Sequence, residues 1–132
     1  MSKYTVTRKI PAPVPLEDNR EFWDGAERGE FMVKFCEACG KAHHYPRAIC
    51  PHCFSDRTVW RKGSGRGTVY SWTVFRRAPE PYVVAYVELE EGPRIITNLL
   101  GFDLDRIAIG DRVKVVFIPT TGGPPVPMFE PA

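Results

Sequence analysis

From Thr68 onward, apolar and polar residues fall into short, partly alternating runs separated by turn residues, the period-two texture of half-buried strands. Residues 68–75 (Thr-Val-Tyr-Ser-Trp-Thr-Val-Phe) are rich in β-branched and aromatic side chains and predict the first strand. Residues 82–89 and 94–100 predict two more, joined by Glu90-Glu91-Gly92-Pro93, a strong hairpin turn. Residues 107–111 read as a turn and 112–118 as a fourth strand. Residues 126–129 close the set after the Gly122-Gly123-Pro124-Pro125 loop. Five short strands in about 60 residues suit a small, partly closed barrel of the OB type better than an open sandwich.

Upstream the pattern differs. Residues 1–17 carry Pro11, Pro13 and Pro15 and predict an extended arm without its own core. Asp18-Asn19-Arg20-Glu21 reads as a helix start, with Asp18 as cap and Glu21 answering it three residues later. Phe22, Trp23 and Ala26 share one face, and Gly29 supplies a stop. A helix of about ten residues is marginal alone. Phe22 and Trp23 are therefore candidate contacts with either the next segment or a partner protein. Residues 31–35 form a short apolar strand leading into a cysteine-bearing segment that runs to about Trp60. Residues 62–67 (Lys-Gly-Ser-Gly-Arg-Gly) read as a glycine-rich hinge; they lack phosphate-loop spacing, and no helix follows. The chain thus divides into an arm and helix (1–30), a cysteine segment (31–62) and a barrel (63–132), without internal repeats.

The four cysteines, Cys36, Cys39, Cys50 and Cys53, form C-x2-C-x10-C-x2-C. Two such pairs joined by a short linker place four thiolates around one zinc and leave no open position for water, so the metal is a structural staple. Gly40, after the first pair, permits the left-handed turn that aims backbone N–H groups at sulfur. Phe54 replaces that glycine in the second pair and weakens its turn without undoing it. The alternative is two disulfides or four free core thiols; disulfides need an oxidising compartment, and residues 1–9 lack the apolar region of a secretory signal. His52, between two ligands, is expected to turn away from the metal, and His43 and His44 to lie on the surface.

Composition narrows the field. No apolar run approaches the roughly 20 residues of a membrane helix, so a cytoplasmic location is expected. Net charge is only +2, but Arg57, Arg61, Lys62, Arg66, Arg76 and Arg77 fall in one stretch without an acid, and six acids crowd residues 17–30. A basic stretch in an otherwise acidic chain hints at an anionic ligand or surface. No catalytic residue is assigned: all four cysteines are committed to metal, and Ser55, Ser64 and Ser71 lie in loop or strand contexts that give a serine–histidine triad poor support. Glu88, Glu90 and Glu91 border the hairpin turn and read as a solvated tip.

The order of these features resembles a known family. A helix with Phe22-Trp23 is followed by a four-cysteine ribbon with Tyr45-Pro46-Arg47 before Cys50-Pro51. Residues 65–73 then open a barrel, and residues 81–89 and 109–113 add further matches. The sequence resembles the acyl-CoA-associated family that joins a rubredoxin-like zinc ribbon to an OB-fold, over about residues 16–131. The resemblance implies a mainly β protein: a short N-terminal helix, a zinc ribbon and a five-stranded OB barrel. It further implies a non-catalytic accessory subunit that docks on a thiolase-like enzyme, in a thiolase, acyltransferase or aldolase complex, and helps form or gate the acyl-CoA site. Some members are fused to a hydratase domain, for which this chain is too short.

An acyl-CoA site wants guanidinium groups beside an aromatic plane. Trp72, Phe75, Arg76 and Arg77 are the candidates, with Trp72, Val74 and Arg76 on one face and Thr73, Phe75 and Arg77 on the other. A competing reading is a single-stranded nucleic-acid-binding ribbon–barrel protein, because Tyr70, Trp72 and Phe75 interleave with Arg66, Arg76 and Arg77. A pI of 8.4 and the acidic helix argue against it.

Overall fold

The structure is a computed structural model that describes Val6 and residues 8–132. Expectations for residues 1–5 and 7 lie outside the described residues. A 3-10 turn (Glu17–Asn19) runs into helix α1 (Arg20–Glu27). Strands β1 (Met32–Cys36), β2 (Ala42–His43) and β3 (Thr58–Lys62) form a three-stranded antiparallel sheet in the order β2-β1-β3. Strands β4 (Arg66–Phe75), β5 (Tyr82–Leu89), β6 (Arg94–Leu99), β7 (Arg112–Ile118) and β8 (Val126–Pro131) close a barrel in the order β4-β5-β6-β8-β7. All its pairings are antiparallel except β6 with β8.

Alternation builds the barrel interior. Val83, Ala85, Val87 and Leu89 of β5 all turn inward and are almost fully buried. Their cross-strand partners include Val69, Ile95 and Leu99. Phe129 of β8 is wholly buried at the centre. A column of aromatic rings carries this core outward: Phe129 meets Phe31 edge-on at 6.0 Å, and Phe31 meets Phe22 of α1 at 5.6 Å. The column seats both the helix and the entry to the small sheet on the barrel. Such edge-to-face pairs contribute about 0.5–1.5 kcal/mol beyond their burial.

Several expectations need correction. The helix has no side-chain cap from Asp18; Asn19 occupies the cap position, and its Oδ1 accepts from the Leu16 N–H at 2.7 Å. Its amide also donates to the Tyr45 hydroxyl, which ties the helix start to the cysteine segment. Gly29, with φ 77°, does end the helix turn. The proline-rich arm is extended but anchored: Thr121 N–H donates to Ile10 O at 3.1 Å, and Arg8 donates to Asn98 at 2.7 Å. The glycine-rich segment is no free hinge. Gly63 N–H donates to Phe31 O at 2.7 Å, Ser64 N–H to Glu91 Oε2 at 2.8 Å, and Val115 N–H to Gly65 O at 2.7 Å. Glu91 is accordingly not a solvated tip residue, whereas Glu90 is exposed and Glu88 pairs with Arg94 at 2.9 Å.

The basic stretch does not make one patch. Arg66 and Phe75, which precedes Arg76, mark opposite ends of β4, about 30 Å apart. Lys62 meets Glu30 at 3.7 Å, and Arg28 joins Glu21 and Glu30 at 2.7 Å each, so part of the acidic cluster is neutralised within the chain. This is not the continuous cationic groove a single-stranded nucleic acid requires.

Gly67 of β4 faces Leu89 of β5, where an added Cβ would come within 2.4 Å of Glu88 O and 2.8 Å of a Val87 methyl. Backbone cannot yield as a flexible side chain can. Gly67→Ala is expected to destabilise the barrel by about 1–3 kcal/mol, read as a lower urea midpoint with unchanged metal content. An unchanged midpoint would mean that β4 and β5 can separate locally at no cost.

Candidate metal centre and ligand groove

Two turns of the same design present the cysteines. Gly40 N–H donates to Cys36 O at 2.9 Å and Cys36 N–H to Lys41 O at 3.0 Å. In the second turn Phe54 N–H donates to Cys50 O and Cys50 N–H to Ser55 O, both at 2.9 Å. Gly40 has φ 76° and Phe54 has φ 65°, so Phe54 adopts the left-handed conformation that glycine adopts in the first turn. The departure read in the sequence therefore leaves the hydrogen bonds intact and places the cost, about 1–2 kcal/mol, in the backbone of Phe54.

The four sulfurs lie within 4.8 Å of one another, with Cys36–Cys53 at 3.6 Å and Cys39–Cys50 at 3.7 Å. A disulfide needs about 2.05 Å. A tetrahedron with metal–sulfur bonds of about 2.3 Å has edges of about 3.8 Å, so the residues fit one tetrahedral ion. Cys36 and Cys50 are fully buried, whereas Cys53 is exposed. Backbone N–H groups of Cys39 and Ala38, with the neighbouring thiols, lower the Cys36 pKa to about 7 despite desolvation. The Ser55 N–H acts the same way on Cys53, but desolvation and three adjacent thiols outweigh it and raise that group to about 11. Four thiolates cannot all ionise side by side without a cation between them. The donor set suits zinc, which would hold the turns together and perform no reaction.

The histidines depart from expectation. His43 is 3% exposed, not a surface residue; its Nε2 accepts from the Arg47 N–H at 3.3 Å, and burial lowers its pKa. A β2 residue opposite Lys34, it packs beneath the segment that leads to the second turn. His44 is half-buried against the Phe22 ring at 5.6 Å, and burial, with His43 nearby, lowers its pKa to about 4. His52 is exposed, and its backbone N–H donates to Cys50 Sγ at 3.3 Å.

The aromatic pairs are placed as follows. Phe22 is buried and meets Trp23 at 4.9 Å, while Trp23 is half-buried with its Nε1 unpartnered. Trp72 lies opposite Ala85 on the core-facing side of β4 yet remains 38% exposed; Phe75 lies opposite Tyr82 on the outer side, rings 5.2 Å apart. The two do not share a plane. Arg76 pairs with Asp105 at 2.9 Å, and Arg77 is exposed in the following loop.

A groove of about 590 Å³ went unread in the sequence. Its walls come from the small sheet (Val33, Phe35, Ala42, Arg61), the two cysteine turns and the β5–β6 turn at Glu91-Gly92-Pro93. Arg61 stacks on Phe35 at 3.8 Å, and Lys41 and Lys62 stand at the rim. The arrangement follows from the pairing of β1 with β3, which sets Arg61 opposite Val33.

Comparison with known proteins matches both halves of the chain. A family model described as ChsH2, rubredoxin-like zinc ribbon domain, covers residues 23–59, and one described as ChsH2, C-terminal OB-fold domain, covers residues 60–117. A probable enoyl-CoA hydratase alpha subunit of Thermomonospora curvata is 36% identical over 127 residues, spanning 92% of this chain but 40% of that protein. A DUF35 domain-containing scaffold protein of Pyrococcus furiosus is 37% identical over 108 residues, 77% of this chain and 79% of the relative. Among solved structures, a chain of the Ltp2-ChsH2(DUF35) aldolase superposes with a TM-score of 0.81 at 35% identity, covering 90% of this chain and 98% of that one.

Elemental analysis is expected to find one zinc per chain. Cys50→Ser should lose the metal and expose the amides of residues 34–60 to exchange, since metal binding and folding are coupled here. Retention of a full zinc equivalent would mean the fourth thiolate is dispensable.

The histidine prediction concerns pH. A folded pKa of about 4 lies below the ordinary 6.5, so the unfolded chain takes up a proton first. The contribution of His44 is fully present above about pH 6.5 and is lost as pH falls toward 4. His44→Phe should therefore show a smaller drop in melting temperature between pH 7 and pH 5 at equal zinc content. Parallel drops in both proteins would clear His44 of any role.

Proposed function

The chain belongs to the ChsH2 (DUF35) family of zinc-ribbon and OB-fold proteins, and on that premise we propose that it is a non-catalytic accessory subunit of a thiolase-type acyl-CoA enzyme. In this reading it docks on the catalytic subunit and helps form or gate the site of the acyl-CoA thioester. The observation that carries the proposal is the match to nearly the whole of one chain of the Ltp2-ChsH2(DUF35) aldolase, the protein that pairs a member of this family with a second component. The Pyrococcus relative, described as a scaffold, and the Thermomonospora relative, described as a hydratase subunit, support a role inside an assembly. Because the chain spans 40% of the hydratase relative, that protein's own reaction is not carried over. The tetrathiolate centre supports the non-catalytic half: a metal held by four sulfurs offers no position to a substrate. Thiols kept as metal ligands also suit a reducing cytoplasm.

Within that reading the end of β4 contributes to the coenzyme site. Arg77 is exposed there, and Arg76 is tied to Asp105 by a solvent-exposed pair that an incoming phosphate can displace at little cost. Trp23 is the member of the helix pair that retains accessible surface for the catalytic subunit.

Co-expression with a thiolase-like subunit from the same organism is the test. A stable complex that turns over acyl-CoA, with little turnover by the isolated chain, is expected; failure to associate would sink the accessory reading. In that complex Arg76→Ala or Arg77→Ala should raise KM for acyl-CoA about 5–10-fold with kcat little changed, the signature of lost uniform binding. Unaltered kinetics in an intact complex would remove this end of β4 from the coenzyme site.

A further inference from the structure

Phe54 is costly in two independent ways. Its φ of 65° lies where a bulky L-residue is disfavoured, at the position that Gly40 holds in the equivalent turn. Its ring is also 79% exposed, the most exposed large apolar side chain among the described residues. Neither feature helps the fold. Strain that the surroundings enforce without structural benefit points to function.

The surroundings say which function. Residues 48–55 (Ala-Ile-Cys-Pro-His-Cys-Phe-Ser), between Arg47 and Asp56, carry no Lys, Arg, Asp or Glu, and Ile49, Pro51 and His52 are exposed in the same turn as Phe54. The tip is rigid: Phe54 N–H and Cys50 N–H hold the turn, and its two cysteines belong to the metal centre. An aromatic ring on a preorganised turn loses little freedom on contact, the property of an interface anchor. Its own residues supply no cation and its two cysteines are metal-bound thiolates, so the tip itself is a poor match for a phosphate backbone or an anionic membrane. An apolar pocket on a protein is the remaining complement.

We infer that Phe54 is an anchor of the second cysteine turn, which inserts into an apolar pocket of the catalytic subunit; this rests on the accessory-subunit reading. The family's assembly with a second component in the solved aldolase supplies the occupant. The anchor lies in the turn between β2 and β3, whereas Trp23 is on α1 and Arg76 follows β4.

The test uses Phe54→Gly and Phe54→Asn in the full chain, both compatible with the left-handed backbone. Expected is an equal or higher melting temperature, one zinc per chain, and at least tenfold weaker binding to the purified thiolase-like subunit by calorimetry, mostly through faster dissociation. Full affinity in both variants would overturn the anchor while leaving the accessory reading in place. No binding by the wild-type chain would overturn the accessory reading and the anchor with it. Loss of zinc or a lower melting temperature would make Phe54 a support of its own turn, and a wild-type dimer that the variants convert to monomer would assign the tip to a second copy; either result overturns the proposal.

Discussion

Everything on the cysteine segment depends on four thiolates sharing one cation. The sheet it staples is small: β2 has two residues, and the described buried apolar side chains of the segment are few, namely Phe31, Val33, Cys36, Pro46 and Cys50, of which Phe31 packs toward the barrel. A module of this size lacks the core to fix two tight turns on its own, and a metal replaces that missing core. The turns then fix what they carry. Gly40 and Lys41 form one wall of the groove, Pro51 and His52 another, and Phe54 is held outward. Removing the cation would leave partly ionised sulfurs in contact, which repel rather than hold.

The staple fixes nothing between the ribbon and the barrel. The aromatic column from Phe129 through Phe31 to Phe22 does so, together with two backbone hydrogen bonds and one from Ser64 N–H to the Glu91 carboxylate at the segment that looks like a hinge. The groove depends on this junction, because Glu91 accepts from Ser64 on one side while Gly92 and Pro93 face the ribbon on the other. Metal and column are therefore complementary: one fixes geometry within the ribbon, the other fixes the ribbon relative to the barrel.

Much of this was legible. Four cysteines at that spacing announce a tetrahedral site, and the ends of β5 and β7 fall where alternation and turn residues put them. What escaped has identifiable causes. Strand β3 runs Thr-Val-Trp-Arg-Lys, too short and too charged at one end for its pairing with β1 to be read from it. The β4 register breaks between Val69 and Ser71, so alternation counted from Thr68 would put Ser71 inside, opposite to its pairing with Tyr86. His43 looked like a loop residue because its burial comes from a two-residue strand paired with β1. The Asp18 cap failed because a tertiary bond, from Asn19 to Tyr45, fixes the helix start instead. In each case a contact distant in sequence overrode a local preference.

Two places present cations, and they differ in how these are held. In the groove, Arg61 lies flat on Phe35, so its orientation is set before any ligand arrives. At the end of β4, Arg76 must exchange Asp105 for a new partner, and Asp105 is itself 81% exposed. An exposed ion pair is worth little, so the exchange is easy, but what is easily exchanged is also weakly positioned. The end of β4 therefore suits a ligand whose position is set mainly by another surface, as the coenzyme would be if the catalytic subunit holds most of it. The groove suits a ligand, or a polypeptide, that this chain must orient by itself. Under the accessory reading the first situation is the one required, and it favours Arg76 and Arg77, rather than Arg61, as the residues proposed to meet the thioester's phosphates.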